Sequence, residues 1–573
     1  MNVLIERDVE VPMRDGAVLR ATVFRPDDDG EHPVLLLRTP YGRDSAATTH
    51  TAIDPERAAA SGHVVVIQDV RGRFGSDGAS FDPYVHEFDD GYDSVQWAAG
   101  IPGADGRVAT YGISYAGTAA WQAAAATPPA LRAVAAAQST NDAFLDLSWR
   151  GGAFNWGMHL TWVLGTLALA QQARDGGDGA VARALLAEVV TAVDAYERTA
   201  ARLPPDGLAV AARVTERVPF LADAMAHDRR GAYHRARSVA GRYGAITAPA
   251  FVVAGWYDVM LSNDLRHFAA IRSQARSAVA RERSRLVIGP WTHGPGMLAA
   301  SAGEVSFGIG SSGAALDLHA MLVDWLDEQL GRREPIEHPP VRVFVMGANR
   351  WRAEDAWPPP DTREQRWFLH GEGRLSLEPP GQETPPARYL YDPADPCPTV
   401  GGPLLMPDTY RRGPVDQTPI LGREDVLTFT SDVLNGDLEI AGPVGASLYA
   451  ATSAVDTDWV VKLCELLPDG RTINLCDGIL RARFRGGDWS APEPVRPDEV
   501  LRYEVDLWAT AVVVPAGHRL RVLVTSSDFP RYDRNPNTGI VGVRATRLVS
   551  AEQRVFRDTE RPSHVTLRIR GRD

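Results

Sequence analysis

The chain has 573 residues, too many for one ordinary domain, and this length predicts two to four domains. Hydrophobic residues make up 44% and charged residues 23%, a composition that argues against a disordered protein. The formal net charge of −13 excludes nucleic acid as an expected partner, because phosphate binding needs a basic surface.

The first 140 residues, together with residues 244–355, alternate apolar strands with helices. VLIERDVEVPM and AVLRATVFRP flank the turn Arg14-Asp15-Gly16, which predicts a hairpin. A helix is predicted around Tyr92 to Ala99, and another at LDLHAMLVDWLDEQL, before the closing strand VRVFVMG. The short apolar runs between them have the character of buried parallel strands: HPVLLLRTPYG, GHVVVIQDVRG, RVATYGIS, LRAVAAAQ, APAFVVAGWYD and SRLVIGPWTHG. This alternation predicts an α/β domain with a doubly wound parallel sheet over 1–140 and 244–355.

Two further regions differ from this pattern. Residues 141–243 contain alanine-rich segments with helical period, such as AVARALLAEVVTAVDAYERTAARL, and predict a helical insert. After the proline-rich linker AEDAWPPPDTREQ, residues 363–573 read as short strands broken by turns. These strands predict a C-terminal β-sandwich or jelly roll.

The clearest chemical signal is RVATYGISYAG, where an apolar strand ends at Ser114 and an alanine-rich helix follows. A serine on a sharp strand-to-helix turn stands above the sheet, and the helix N-terminus favours developing negative charge. The usual pattern is G-x-S-x-G, but here the second glycine comes one position late, at Gly117. We interpret Ser114 as a nucleophile.

A serine nucleophile needs a base that is oriented by a carboxylate. AFVVAGWYD ends at Asp258 and SRLVIGPWTH ends at His293, so both partners follow core strands in the order serine, acid, histidine. This ordered set predicts a catalytic triad for acyl transfer. The developing oxyanion would be bound by the backbone N–H of Tyr115 and by a second donor near TPYG. The Tyr41 hydroxyl is one candidate for this second donor, and the alternative is that Tyr41 only packs against its neighbours.

TPYGR, VIQDVRGRFGSDG, YGISYAG, AGWYD and GPWTHG, in this order, resemble the family of bacterial cocaine esterase and X-Pro dipeptidyl-peptidase. YDPADPCPTVGG, SAVDTDWVVKL and FPRYDRNPNTG look like that family's C-terminal β domain, so the resemblance covers essentially the whole chain. It implies an α/β-hydrolase domain, a helical lid insert and a jelly roll. It also implies the triad Ser114, Asp258 and His293 and an oxyanion hole from Tyr41 and Tyr115. The late glycine is expected, since the family's own turn is G-x-S-Y-x-G.

The resemblance also implies that lid residues enclose the acyl group. Trp149 and Trp162 hold lid positions, and Met260 and Met406 fall where further lining is expected, although each also suits ordinary packing. The favoured function is hydrolysis of aromatic or other bulky acyl esters, a small-molecule substrate class, without metal or cofactor. An X-Pro dipeptidyl-peptidase or α-amino-acid ester hydrolase is the alternative, and it requires carboxylates that bind a free ammonium. A glycan-binding protein with a vestigial triad is the remote alternative.

The remaining features concern location and assembly. The three cysteines lie far apart without a C-x-x-C pair, so neither a disulfide framework nor zinc-ligand spacing is present. No apolar run reaches the ~20 residues that a membrane span needs. We expect a soluble cytoplasmic enzyme without a membrane partner, and a homodimer is left open.

Overall fold

The computed structural model describes residues 2–168, 179–202, 219–381 and 384–571. Parts of the predicted helical insert (169–178 and 203–218) and of the predicted β domain (382–383 and 572–573) lie outside the described residues.

A ten-stranded sheet forms the N-terminal part, in the spatial order β1-β2-β4-β3-β5-β6-β9-β10-β13-β14. Strands β4, β3, β5, β6, β9, β10 and β13 run parallel, as their unbroken apolar sequences predicted, while β1, β2 and β14 pair antiparallel at the two edges. The strands are β1 Val3–Pro12, β2 Val18–Pro26, β3 His32–Thr39, β4 Val64–Asp69, β5 Ala104–Ile113, β6 Leu131–Ala137, β9 Ala250–Tyr257, β10 Arg285–Thr292, β13 Val341–Val345 and β14 Arg350–Glu354. Two short hairpins lie outside this sheet, β7 Trp149–Arg150 with β8 Ala153–Phe154 and β11 Ser301–Ala302 with β12 Val305–Ser306.

Helices cover the sheet and make up most of the described insert. Helix α3 begins with three acidic residues in its first turn, and α4 is rich in alanine, so both suit the helical conformation. The helices are α1 Ala46–Thr49, α2 Pro55–Ala60, α3 Glu87–Ala98, α4 Tyr115–Ala125, α5 Trp156–Trp162, α6 Gly179–Asp194, α7 Tyr196–Ala201, α8 Phe220–Ala226, α9 Ala232–Arg237, α10 Leu261–Gln274, α11 Ala278–Arg283, α12 Leu318–Gln329 and α13 Thr418–Leu421. No helix among the described residues is long and apolar enough to cross a membrane.

The C-terminal part is rich in β-strands, as its short apolar runs predicted. Ten of its eleven strands form one hydrogen-bonded path, β17-β24-β19-β25-β15-β16-β18-β23-β20-β21, and the eleventh, β22, pairs with the 15-residue β19. The strands are β15 Thr362–Leu369, β16 Arg374–Ser376, β17 Ala387–Tyr391, β18 Leu427–Ser431, β19 Leu438–Thr452, β20 Asp458–Leu466, β21 Thr472–Arg481, β22 Leu501–Val514, β23 Arg519–Thr525, β24 Ala551–Phe556 and β25 His564–Arg570.

The buried carboxylate of Asp146 joins the three parts. It accepts hydrogen bonds from Ser262 Oγ at 2.8 Å and from Arg266 Nη1 at 2.6 Å, both on α10. The indole N–H of Trp508 on β22 donates to the same carboxylate at 3.3 Å. Because the partners of a buried charge are costly to remove, this group ties the insert to α10 and to the C-terminal strands beside the site described next.

Candidate active site

Three predicted residues meet at the carboxyl edge of the parallel sheet. Ser114 follows β5, Asp258 follows β9 and His293 follows β10, and parallel strands bring such ends to the same edge. His293 Nε2 lies 2.9 Å from Ser114 Oγ, and His293 Nδ1 lies 2.7 Å from Asp258 Oδ2. The structure therefore brings together a hydroxyl, an imidazole and a carboxylate in the arrangement of a serine hydrolase.

Ser114 stands on a sharp turn between β5 and α4. Its φ of 59° and ψ of −121° are a strained conformation for a residue with a side chain. Small neighbours allow the turn: a Cβ on Gly112 would lie 2.5 Å from the Cβ of Ala116, and a Cβ on Gly117 would lie 3.0 Å from the carbonyl oxygen of Ala137. The same Ala137 carbonyl accepts the N–H of Ser114 at 2.9 Å, which fixes the turn against β6.

Both carboxylate oxygens of Asp258 accept hydrogen bonds in the buried site. The backbone N–H of Met260 donates to Oδ1 at 2.6 Å, and Oδ2 faces the His293 ring. This network assigns the proton to Nδ1 of the neutral imidazole, so that Nε2 is left to accept from the Ser114 hydroxyl. The arrangement can remove a proton from Ser114 and stabilise the resulting imidazolium.

Tyr41 lies beside Ser114 with its hydroxyl held in place. Burial raises the pKa of Tyr41 to about 12, and the hydrogen bonds to Trp162 and Ser114 lower that pKa only in part. The indole N–H of Trp162 donates to the phenol oxygen at 3.1 Å, so the phenol proton is left to point towards another acceptor. A neutral phenol with a fixed oxygen is suited to donate to an oxyanion near Ser114.

The side chain of Tyr115 braces the start of α4. Its ring stacks on Tyr84 with centroids 4.4 Å apart, and its hydroxyl donates to Glu87 Oε1 at 2.6 Å. Arg38 Nη1 lies 2.8 Å from the other carboxylate oxygen of Glu87. This buried chain of contacts holds the backbone at Tyr115, whose N–H is the first of the helix that follows Ser114.

A cavity of about 350 Å³ opens onto Ser114 and His293. Its described lining contains no carboxylate and no guanidinium. The lining residues are Thr39, Tyr41, Ala47, Thr51, Tyr84, Ile113, Ser114, Ala116, Leu147, Met158, Trp162, Thr166, Met260, His293, Gly294, Pro295 and Leu405. The cavity can therefore enclose a bulky uncharged group next to the nucleophile.

The four residues expected to line the substrate site divide into two pairs. Trp162 and Met260 line the cavity. Trp149 is fully buried against Phe154, with ring centroids 4.9 Å apart, and does not line it. Met406 is also buried and faces a separate small cavity. The expectation for Trp149 and Met406 is corrected by these positions. Sequence context alone does not tell which side of the insert faces the nucleophile, nor which side chains of a C-terminal loop reach the cavity.

Several lining residues were not identified from the sequence, among them Tyr84, Met158 and Leu405. They come from three separate segments with no shared motif, so the sequence offers no signal for them. Gln138, which lies outside the lining, was not identified either. It directly follows strand β6, and the rule that identified Asp258 and His293 at strand ends applies to it equally. The described residues contain no group of three or more His, Cys, Asp or Glu side chains placed to hold a metal ion.

Comparisons with known proteins find relatives over nearly the full length of the chain. Residues 15–295 match the family described as X-Pro dipeptidyl-peptidase (S15 family), and residues 336–566 match the X-Pro dipeptidyl-peptidase C-terminal non-catalytic domain. Cocaine esterase of Rhodococcus sp. (strain MB1 Bresler) is 36% identical over 587 residues, with 99% of each chain covered.

Two solved structures are similar in fold and sequence. An aminopeptidase from a marine sediment Thaumarchaeota archaeon has a TM-score of 0.82 and 28% identity, and an α-amino acid ester hydrolase has a TM-score of 0.82 and 26% identity. Each comparison covers 99% of this chain and 97% of the other.

Proposed function

The chain belongs to the X-Pro dipeptidyl-peptidase (S15) family of serine hydrolases, which includes cocaine esterase, and we propose that it hydrolyses uncharged carboxylic esters with bulky or aromatic acyl groups. The observation that carries the proposal is the hydrogen-bonded series Asp258, His293 and Ser114 at the mouth of a cavity whose described lining contains no carboxylate and no guanidinium.

The chemistry proceeds in two steps. Ser114 Oγ attacks the ester carbonyl while His293 Nε2 takes the hydroxyl proton, and the alcohol leaves with that proton. Water then loses a proton to His293, attacks the acyl carbon and releases the carboxylic acid from Ser114 Oγ, which regains its proton. Asp258 holds the imidazole and stabilises its positive charge in both steps.

The oxyanion of each tetrahedral intermediate is bound by two groups. The Tyr41 hydroxyl is neutral at ordinary pH because burial raises its pKa to about 12. The backbone N–H of Tyr115 is the second donor, at the positive end of helix α4. Each such donor contributes roughly 3 kcal/mol to the stability of the transition state.

The substrate class follows from the walls of the cavity. Trp162, Tyr84 and Met260 present ring and thioether surface to the bound group, which favours an aromatic or bulky aliphatic acyl chain. A free α-ammonium would lose its hydration in this cavity and find no carboxylate among the described lining residues. Hydrolysis of esters that carry no free ammonium is therefore favoured over aminopeptidase or α-amino-acid ester hydrolase activity.

The second candidate function is aminopeptidase or α-amino-acid ester hydrolase activity. The test includes it because two solved structures of similar fold are an aminopeptidase and an α-amino acid ester hydrolase. A cytoplasmic location and a homodimer stay predictions from the sequence.

The test compares wild type with Ser114→Ala in labelling by a fluorophosphonate probe and in turnover of a p-nitrophenyl ester, a benzoyl ester and an X-Pro-anilide. We expect labelling and ester hydrolysis in wild type, and loss of both in the variant. Preferred turnover of the anilide would assign the chain to the peptidases. A wild type that neither labels nor turns over any of the three would overturn the proposal and favour a binding role.

A further inference from the structure

We propose that Gln138 is a positioning residue for the hydrolytic reaction: its side-chain amide holds the peptide groups on both sides of His293 and so aligns the imidazole with Ser114 and Asp258. This inference rests on the proposed role of His293 as the base.

The two hydrogen bonds of the amide carry the argument. The N–H of Gly294 donates to Gln138 Oε1 at 2.6 Å, and Gln138 Nε2 donates to the carbonyl oxygen of Thr292 at 2.9 Å. Reversing the amide would place N–H against N–H and oxygen against oxygen, so the bonds themselves assign the two atoms. One planar group bound to both neighbours of His293 restricts the backbone rotation that would swing the imidazole away from Ser114.

Gln138 reaches His293 across a neighbouring strand. It follows β6, and β9 lies between β6 and β10 in the sheet. The crossing passes over Gly255 of β9, where a Cβ would lie 3.2 Å from Gln138 Nε2. The backbone of Gln138 has a φ of 48°, and its N–H donates to the carbonyl of Val253 at 2.8 Å. A residue with a side chain rarely adopts this φ, and it persists only where the surroundings hold it.

The same short segment also contacts the nucleophile Ser114 and the helix that follows Asp258. The carbonyl oxygen of Ala137, the residue before Gln138, accepts a hydrogen bond from the N–H of Ser114. Ser139 donates its N–H to the buried Asp264 Oδ1 at 2.9 Å, and Asp264 lies on α10, the helix that begins three residues after Asp258. Residues 137–139 thus connect the nucleophile, the base and the helix next to the acid.

Gln138 is fully buried and does not line the cavity, so it acts through His293 and not on the substrate. His293 transfers a proton in both acylation and deacylation, and a small displacement of a catalytic group lowers the rate of each. The expected signature is a loss in kcat with KM nearly unchanged.

The experiment compares wild type with Gln138→Met, which keeps the length of the side chain and removes both hydrogen bonds. Gln417→Met is the matched control: Gln417 is also fully buried and donates to the carbonyls of Val400 at 3.0 Å and Val415 at 2.9 Å, in the C-terminal part. The readouts are kcat and KM on a p-nitrophenyl ester, the rate constant of fluorophosphonate labelling and the melting temperature.

We expect Gln138→Met to lower kcat and the labelling rate by about 10- to 100-fold. Gln417→Met should keep both rates, whatever its melting temperature. Values for Gln138→Met within about threefold of wild type, or an equal loss in Gln417→Met, would overturn the proposal. An inactive wild type would instead refute the proposed function, so the two failures are distinguishable.

Gln138→Glu decides the matter if Gln138→Met does not fold. The introduced carboxyl accepts from Gly294 in either state, but it donates to the Thr292 carbonyl only when protonated. The titratable groups around this position are His293, Asp258 and Asp264, and all three are also present in wild type. We expect the ratio of variant to wild-type kcat to rise as pH falls from 8 to 6, and a ratio independent of pH would overturn the proposal.

Discussion

The indole N–H of Trp162, at the end of helix α5, donates a hydrogen bond to the phenol oxygen of Tyr41 at 3.1 Å. Trp162 belongs to the helical insert, and Tyr41 follows strand β3 of the parallel sheet. The insert therefore does more than cover the cavity, since it also orients a group proposed to bind the oxyanion.

Removing this hydrogen bond should lower kcat while an aromatic ring still lines the cavity. Trp162→Phe keeps a ring and loses the indole donor, and a hydrogen bond of this kind contributes about 1 kcal/mol, so we expect a fall in kcat of roughly fivefold. Trp149→Phe is the control, because Trp149 lies outside the cavity and its indole N–H has no described partner. Steady-state kinetics check this, and equal kcat values in the two variants would contradict it.

Tyr41→Phe should remove one oxyanion donor and lower kcat by about 10²- to 10³-fold, with little change in KM. Its pH behaviour follows from the raised pKa of about 12: the phenol stays protonated and able to donate at every lower pH. The wild-type pH profile should therefore show no Tyr41-dependent loss of activity up to about pH 10. A loss near pH 10 that disappears in Tyr41→Phe would contradict this assignment.

Met260 should tune the size of the acyl group. Its side chain lines the cavity, while its backbone N–H donates to Asp258, so Met260→Ala enlarges the cavity and leaves the triad contact in place. We expect the ratio of kcat/KM for a bulky acyl ester over an acetyl ester to rise by about 5- to 30-fold, since a methylene or two in an apolar pocket contributes roughly 1–2 kcal/mol. Met346→Ala, a buried methionine of the sheet region outside this cavity, should keep the wild-type ratio.

Buried histidines should make the fold sensitive to acid. Burial lowers the pKa of His159 to about 4, that of His234 to about 4 and that of His267 to about 3. The unfolded chain binds protons at these side chains near pH 6.5, whereas the folded chain does not, so stability is full above pH 6.5 and falls as pH drops towards the folded pKa values.

His267→Gln tests this at one position, where the ring stacks on Trp121 with centroids 4.3 Å apart and Nδ1 lies 2.8 Å from the Tyr243 hydroxyl. Urea titrations at pH 7, 6 and 5 give the free energy of unfolding. We expect the wild-type slope between pH 6 and 5 to exceed that of the variant by about 1.2 kcal/mol per pH unit. Parallel slopes for the two proteins would exclude His267 as a source of the acid sensitivity.

The sequence by itself determined the alternation of strand and helix and the positions of Ser114, Asp258 and His293 at strand ends. Those features depend on local periodicity and chain order, and parallel strands bring their ends to one edge wherever the rest of the chain goes. The tertiary structure alone decided that Trp162 and not Trp149 faces the nucleophile, and that the Gln138 side chain crosses a whole strand to reach the His293 loop. Such contacts depend on how the insert packs over the sheet and on the missing Cβ of Gly255 in a strand far away in sequence, and no local pattern of residues encodes either of these.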